Sequence, residues 1–351
     1  MQNPFHSPRI DALRKGGSME LPNGQRVLFP RAFGFCGGVR HAVDLLAGAL
    51  EKGRCVWLLG AMIHNPSVNS WFIQNGAVLC DEPSRIFDLA QPQDVFVVPA
   101  FGLPVGLTEQ LESWVQPPGR IVDATCAFVQ HVWAAAQTAG CNGSAVVVHG
   151  KSGHQETESI WSRATLFAPA CVLLSTLEEA RAFAKQRILP PRVTHPELLD
   201  KLPWTLVNQT TVLSQETLAV AELLDSSPWH QAAFTPSGTV CPATRARQEA
   251  ALELCHAACD VILVIGGTDS SNTTQLYRLA TTVLPPERCL FLEDEHCLTI
   301  DTIRHYNPTT GKWQCSPIQL LRSSSQIGIL AGASCPDSSL DALLNSLVVS
   351  G

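Results

Sequence analysis

Residues 31–43 read RAFGFCGGVRHAV, a single cysteine set between two aromatics and two glycines where the apolar stretch RVLF (26–29) gives way to a helical pattern. Beyond it, Val39, Ala42, Val43, Leu46 and Leu50 recur at the spacing of one helix face. The grammar is strand, glycine-containing loop, cysteine, helix. It returns twice, in RIVDATCAFVQHVWAAAQ (120–137) around Cys126 and in GTVCPATRARQEAALEL (238–254) around Cys241.

Two further features accompany each cysteine. An apolar strand ends in polar residues that open another helix, in VWLLGAMIHNPSVNSWF (56–72), AVVVHGKSGHQETESI (145–160) and VILVIGGTDSSNTTQLYRLA (261–280). His64 lies 28 residues after Cys36, His154 lies 28 after Cys126, and Ser270 lies 29 after Cys241. Then a strand, a small or polar loop and a helix follow in DVFVVPAFGLPVG (94–106), WTLVNQTTVLSQETL (204–218) and SQIGILAGASCPDSSLDALL (325–344). Three parallels in three segments define an internal repeat.

Alternating strands and helices imply small parallel sheets covered by helices, with ligands received beyond the carboxyl ends of the strands. The expected architecture is three similar α/β domains, at 25–119, 120–234 and 235–351, whose cysteines and polar loops converge on one cavity. Residues 1–24 are expected to form a mobile tail, a transit peptide being the less favoured reading. The stretch QRILPPRVTHPELLDKLP (186–203) looks like an insertion, because it lengthens the middle unit without adding a repeat feature.

Composition narrows the function. A formal charge of −7 and scarce basic clusters argue against a nucleic-acid surface, where Lys and Arg must neutralise phosphates. No apolar run is long enough to span a membrane and no secretory hydrophobic segment opens the chain, so a cytoplasmic location is expected. Thirteen cysteines, an odd number in a long chain, point to reduced thiols and not to a disulfide framework. No CxxC pair occurs.

A cysteine at a helix start has its thiolate stabilised by unpaired N–H groups and the helix dipole, which makes it a good soft-metal ligand. Any one such cysteine is most often a buried structural residue. Three at matching repeat positions reverse that preference. Three thiolates suit a zinc with an open position, an alternative that the nearby His64 and His154 keep open, or a cubane cluster with one iron not bound by protein. Cys255 and Cys259, four apart in LELCHAACD, read as small buried apolar residues.

The motifs AFGFCGGV, MIHNPSVN, DATC, GHQETES, NQTT, CPATRARQEA, SSNTTQL and AGASCPD, in this order, resemble those of the 4-hydroxy-3-methylbut-2-enyl diphosphate reductase family, over residues 27–345. The resemblance implies three domains in pseudo-threefold symmetry around a [4Fe–4S] cluster on Cys36, Cys126 and Cys241. It implies two-electron reductive removal of an allylic hydroxyl as water, giving isopentenyl and dimethylallyl diphosphates, with ferredoxin or flavodoxin as electron donor. Glu156 matches the family's acid at the departing hydroxyl, Thr210 a hydroxyl in the same network, and His154 a histidine near both proton path and diphosphate. His64, Ser270, Ser271, Asn272 and Ser334 match donors to the diphosphate.

The chain also departs from the family. Phe101 stands where a diphosphate-contacting histidine is usual, and Ala127, Pro242 and Ala246 where proline, tyrosine and asparagine are common. The carboxyl end is shorter and the amino end longer. These departures leave the three cysteines and Glu156 in place and fall on the substrate side. They keep open a member acting on a different small substrate, or a non-catalytic iron–sulfur binding or sensing protein. Repeat logic puts Phe101 level with Thr210 and Ser334.

Overall fold

The computed structural model describes residues 4–50 and 54–350. The fold is mixed α/β, with three predominantly parallel sheets. The chain divides into two compact units, one of Met1–Arg40, Ile63–Phe72 and Pro242–Gly351, the other of His41–Met62 and Ile73–Cys241.

From the amino end come α1 (Pro8–Gly16), β1 (Ser18–Glu20), β2 (Arg26–Leu28) and α2 (Gly37–Leu50), then β3 (Val56–Leu59), α3 (Pro66–Gln74), β4 (Ala77–Cys80), α4 (Ile86–Leu89), β5 (Val95–Val98), α5 (Val105–Trp114) and β6 (Arg120–Asp123). The middle third holds α6 (Ala127–Cys141), β7 (Ala145–His149), α7 (Gln155–Phe167), β8 (Cys171–Leu174), α8 (Leu177–Gln186), β9 (Val193–Thr194), β10 (Trp204–Asn208), α9 (Ser214–Asp225) and β11 (Phe234–Pro236). The last third holds α10 (Pro242–Cys255), β12 (Val261–Ile265), α11 (Ser271–Val283), β13 (Cys289–Leu292), β14 (Thr302–Asn307), β15 (Lys312–Pro317), α12 (Gln319–Arg322), β16 (Gln326–Ala331) and α13 (Asp337–Ser350).

The repeat is visible in strand order. Each sheet contains four parallel strands in the same arrangement: β4-β3-β5-β6, β8-β7-β10-β11 and β13-β12-β16-β2. Their central strands, VFVV in β5, AVVVH in β7 and VILVI in β12, are buried throughout, as strands covered on both faces must be. Antiparallel edges are added by β1, β9, β14 and β15. The 186–203 insertion supplies β9 and the buried Leu199 to the second sheet.

Strand pairing cuts the chain differently from breaks at 24, 119 and 234. The strand before each cysteine is the fourth strand of the sheet formed by the preceding repeat: β6 pairs with β5, β11 with β10, and β2 with β16 near the far end of the chain. A strand reads the same in sequence whichever sheet it joins, so the pairing was not legible.

From residue 4 on, the segment expected to be a mobile tail is folded; residues 1–3 lie outside the described residues. Pro8 sits in the first turn of α1, Gly17 closes it in the left-handed conformation, and Asp11 and Arg14 lie at the ends that the helix dipole favours. Its Ile10 and Leu13 are buried in a cluster with Leu340, Leu343, Leu344 and Leu347 of α13. Two apolar residues on one turn of a short polar segment hold it only because that partner exists.

One residue breaks the apolar pattern. His149 ends β7 where the equivalent positions of β3 and β12 carry Leu59 and Ile265. It is buried, its Nδ1 has no hydrogen-bond partner among the described residues, and burial pushes its pKa down to about 4. Below about pH 6.5 the unfolded chain takes up a proton that the folded His149 refuses, so stability falls with pH until about pH 4. In chemical unfolding, His149→Ile is expected to be more stable than the parent, by a margin that grows by about 2 kcal/mol between about pH 7.5 and about pH 4.5.

Candidate active site

The expected site residues fall in both compact units. Cys36, His64, Ser270, Ser271, Asn272 and Ser334 belong to the first, and Phe101, Cys126, His154, Glu156, Thr210 and Cys241 to the second.

Among the described residues no disulfide joins any of the thirteen cysteines. Seven are buried and three exposed; the half-buried remainder are Cys36, Cys126 and Cys241. All three stand immediately before a helix, α2, α6 and α10. Burial raises the thiols of Cys255 and Cys289 to about 12, which keeps them protonated. The Val39 N–H donates to Cys36 Sγ at 3.4 Å.

Each cysteine is tied to its sheet by the same bond. The Cys126 N–H donates to the Ala100 carbonyl (3.0 Å), that of Cys241 to Thr210 (3.2 Å) and that of Cys36 to Ala333 (3.2 Å). Ala100, Thr210 and Ala333 each lie two residues beyond their strand, β5, β10 and β16. Counting from these anchors, Phe101 is level with Thr211 and Ser334, and Thr210 is level with Ala100 and Ala333. The repeat logic was therefore one residue out for Thr210; the cysteine bonds supply a register that spacing alone lacks.

The anchors also bind forward. Thr210 N–H donates to Glu156 Oε1 (2.6 Å), and Ala333 N–H donates to Asn272 Oδ1 (2.9 Å). Glu156 and Asn272 occupy the same repeat position, seven residues after the ends of β7 and β12. In the first repeat that position is Pro66, which offers no such side chain, and the Ala100 N–H turns to the Met62 carbonyl (3.3 Å).

In the second unit, Glu156 is 1% exposed in the first turn of α7. Burial raises its pKa to about 7, against the opposing effect of hydrogen bonds from the Thr210 backbone and hydroxyl. His154 caps α7, its Nδ1 accepting the Glu156 N–H at 3.2 Å. The Phe101 ring meets His154 edge-on, with centroids 5.7 Å apart. The Phe101 carbonyl accepts from Ser159 Oγ (3.0 Å), which in turn takes a bond from Trp133 Nε1 (3.1 Å). Arg163 lies over the Trp133 ring and donates to the Leu103 carbonyl (2.9 Å). Ser159, Trp133 and Arg163 were missed in the sequence, where they read as ordinary helix residues.

In the first unit, Ser270 caps α11 through the Thr273 N–H (3.2 Å), and Ser271 begins the helix, half-buried. Ser334 Oγ donates to the His64 carbonyl (3.0 Å) and lies 3.4 Å from Ser270 Oγ. Gly267 packs so closely that a Cβ there would come within 2.4 Å of the His64 carbonyl oxygen. Asn272 is buried, and its Nδ2 has no partner among the described residues. A buried amide donor beside two hydroxyls at the start of a thirteen-residue helix is suited to an anion.

These features define a class: an α/β protein of three repeated parallel sheets, each presenting a cysteine at a helix start beside a loop of polar groups. The LytB protein family matches residues 27–348, and the chain belongs to that family. Curated relatives from Trichormus variabilis (27% identical, covering 99% of this chain and 90% of the relative) and a Synechococcus strain (28%, 99% and 89%) are named 4-hydroxy-3-methylbut-2-enyl diphosphate reductase. The fold is shared with the Plasmodium falciparum E-1-hydroxy-2-methyl-but-2-enyl-4-diphosphate reductase, at a TM-score of 0.71 and 20% identity over 91% of this chain and 86% of that one. A second solved structure, described as (E)-4-hydroxy-3-methyl-but-2-enyl diphosphate reductase, the terminal enzyme of the non-mevalonate pathway, matches at a TM-score of 0.60 and 24% identity over 92% of this chain and 98% of that one. Among the described residues no helix is long and apolar enough to cross a membrane.

Proposed function

We infer that this chain is an oxidoreductase that removes the allylic hydroxyl of 4-hydroxy-3-methylbut-2-enyl diphosphate. Two electrons and two protons enter, the C–O bond breaks, the hydroxyl leaves as water, and a C–H bond forms to give isopentenyl or dimethylallyl diphosphate. The observation that carries this reading is the chain of bonds from Glu156 Oε1 to the Thr210 N–H, and from the Thr210 carbonyl to the Cys241 N–H. It ties a proton-holding acid to a cysteine of the repeat.

The donor set fits an iron–sulfur group: three thiols, neither sealed in a core nor lost to solvent, each at a helix start. Cys36, Cys126 and Cys241 would hold a [4Fe–4S] cluster. When bound, such a cluster supplies electrons, which reach it from a small carrier of the ferredoxin or flavodoxin kind.

The chain's own residues bind the substrate and move the proton. Ser270, Asn272 and Ser334, with His64 and Ser271, are the donors for the diphosphate, and the Nδ2 of Asn272, without a partner among the described residues, supports that role. The Glu156 carboxyl keeps its proton to about pH 7, where an exposed glutamate has lost it, and gives it to the departing hydroxyl. Thr210 holds that carboxyl from its N–H and hydroxyl, and His154 caps the helix start on which it stands. Phe101 packs against His154 where the equivalent positions bear the hydroxyls of Thr211 and Ser334, and so removes one polar contact from the substrate side.

Three experiments test this reading. Cys36→Ser, Cys126→Ser and Cys241→Ser should each lower iron and acid-labile sulfide by about fivefold or more, whereas Cys255→Ala and Cys335→Ala should keep both; one zinc per chain and no sulfide after anaerobic purification would sink the cluster. With a reduced donor, turnover should fall about tenfold per pH unit above about pH 7, as Glu156 loses its proton. Glu156→Gln should keep its iron, lose about 10² in kcat and flatten that limb; full activity would make Glu156 a helix-start residue only. Phe101→His should lower KM for the diphosphate by about tenfold, since a hydrogen bond to a charged group is worth roughly 1.5–3 kcal/mol. If the parent turns over a less charged substrate readily and the variant gains nothing, Phe101 was selected for that other substrate.

A further inference from the structure

We propose that the amino-terminal segment from Phe5 to Gly16 is a clamp for the loop that carries Cys36, with Arg14 as a positioning residue for that cysteine. The proposal rests on the reading of Cys36 as a site residue and adds to it a support outside the repeat.

The three residues before Cys36, Phe33, Gly34 and Phe35, all meet the clamp. The Arg14 guanidinium lies over the Phe33 ring at 5.3 Å. Gly34 turns its open side to the same group: a Cβ there would be 3.3 Å from Arg14 Nη2, 3.4 Å from the Cys335 carbonyl and 3.6 Å from Asp337 Oδ1. With a φ of +68°, that position also favours glycine for its backbone. Phe35 meets the Phe5 ring at 6.2 Å, and Phe5 continues onto Trp71 (5.3 Å) and Phe72 (5.8 Å).

The other end of the clamp grips the loop after β16. Arg14 Nη1 donates to Asp337 Oδ2 (3.0 Å) and Asp11 Oδ1 (2.6 Å), while Nη2 reaches Asp337 Oδ1. The Asp337 N–H donates to the Phe5 carbonyl at 3.0 Å. Asp337 is buried, so its carboxylate needs the guanidinium. At the start of α1, Arg9 donates to Asp341 (3.1 Å) and Asn345 (2.8 Å) of α13. From α10, Arg247 Nη2 donates to the Gly34 carbonyl (2.7 Å), and Cys36 itself is bonded to Ala333. The Cys36 loop is thus held by α10 and by the clamp.

The other two cysteine loops are tied through polar side chains of their own. Thr125 bonds Asp123 within the Cys126 loop through its N–H (2.9 Å) and hydroxyl (2.5 Å). Before Cys241, Thr239 and Asn208 exchange two bonds of 2.8 Å. The sequence FGF before Cys36 has no polar side chain with which to do the same. An external support replaces it.

The test is the alkylation rate of each cysteine by iodoacetamide in the full-length chain after iron is removed by a chelator, read peptide by peptide. In Arg14→Gln/Asp337→Asn, which leaves no buried charge unpaired, Cys36 should react about tenfold faster than in the parent, with Cys126 and Cys241 within about twofold. Arg14→Lys keeps the charge and should restore a large part of the protection. An unchanged Cys36 rate in the double variant would overturn the proposal. So would a common rise at Cys36, Cys126, Cys241, Cys255 and Cys289, because the segment would then hold the fold as a whole. A parent that binds no iron would defeat the cluster reading and leave this comparison intact.

Discussion

One residue per sheet fixes the geometry on which the candidate site depends. Ala100, Thr210 and Ala333 each accept a bond from the N–H of a cysteine with the carbonyl. Two of them pass their own N–H to a buried side chain, Glu156 or Asn272. Each bond adds only about 1 kcal/mol. Their weight lies in register: they hold the cysteine, the loop beyond the third strand and the start of the following helix at one end of a parallel sheet. Because the cysteine rides on the fourth strand, that strand must join the preceding sheet. For the first repeat the preceding sheet is built from the end of the chain, which is why β2 pairs with β16.

The scaffold repeats and the chemistry does not. Seven residues past the strand, the repeats carry Pro66, Glu156 and Asn272; five residues past it, His64, His154 and Ser270. The second repeat therefore places a proton-holding acid where the third places an amide suited to an anion. Sheets buried on both faces tolerate such exchanges because the substitutions lie beyond the strand ends, outside the apolar runs of VFVV and VILVI. His149 marks the limit of that tolerance. It is the last residue inside its strand, and an imidazole there must stay neutral with one nitrogen unsatisfied among the described residues.

Much of this was legible in the sequence. Apolar runs followed by glycine and a cap residue gave the strands and helices, and the matched spacings of Cys36, Cys126 and Cys241 marked the repeat. What escaped was pairing across distance. The words RVLF and RIVD look like the first strands of their domains, since nothing local distinguishes a strand that opens a sheet from one that completes another. The residue-level match of Phe101 to Thr211 also escaped, because loops of different sequence carry no count of their own and only a bond to a fixed neighbour supplies one.

The amino-terminal segment was illegible for a related reason. FHSPRIDALRKGG has two large aliphatic residues and mixed charge, a composition that by itself buries too little to stay folded. Its order comes from residues more than 300 positions away, Asp337, Asp341 and the leucines of α13. Those contacts meet a need that is local to the Cys36 loop. The three residues before Cys36 are aromatic or glycine and carry no polar side chain. That loop is bonded through its backbone, and through Arg31 to Glu249 and Glu253 of α10, whereas the side chains of Thr125 and Thr239 serve the other two. A repeat that lacks such a side-chain tie at one copy keeps its geometry only if another part of the chain supplies the restraint. Here that part is the segment whose sequence alone argued for least structure.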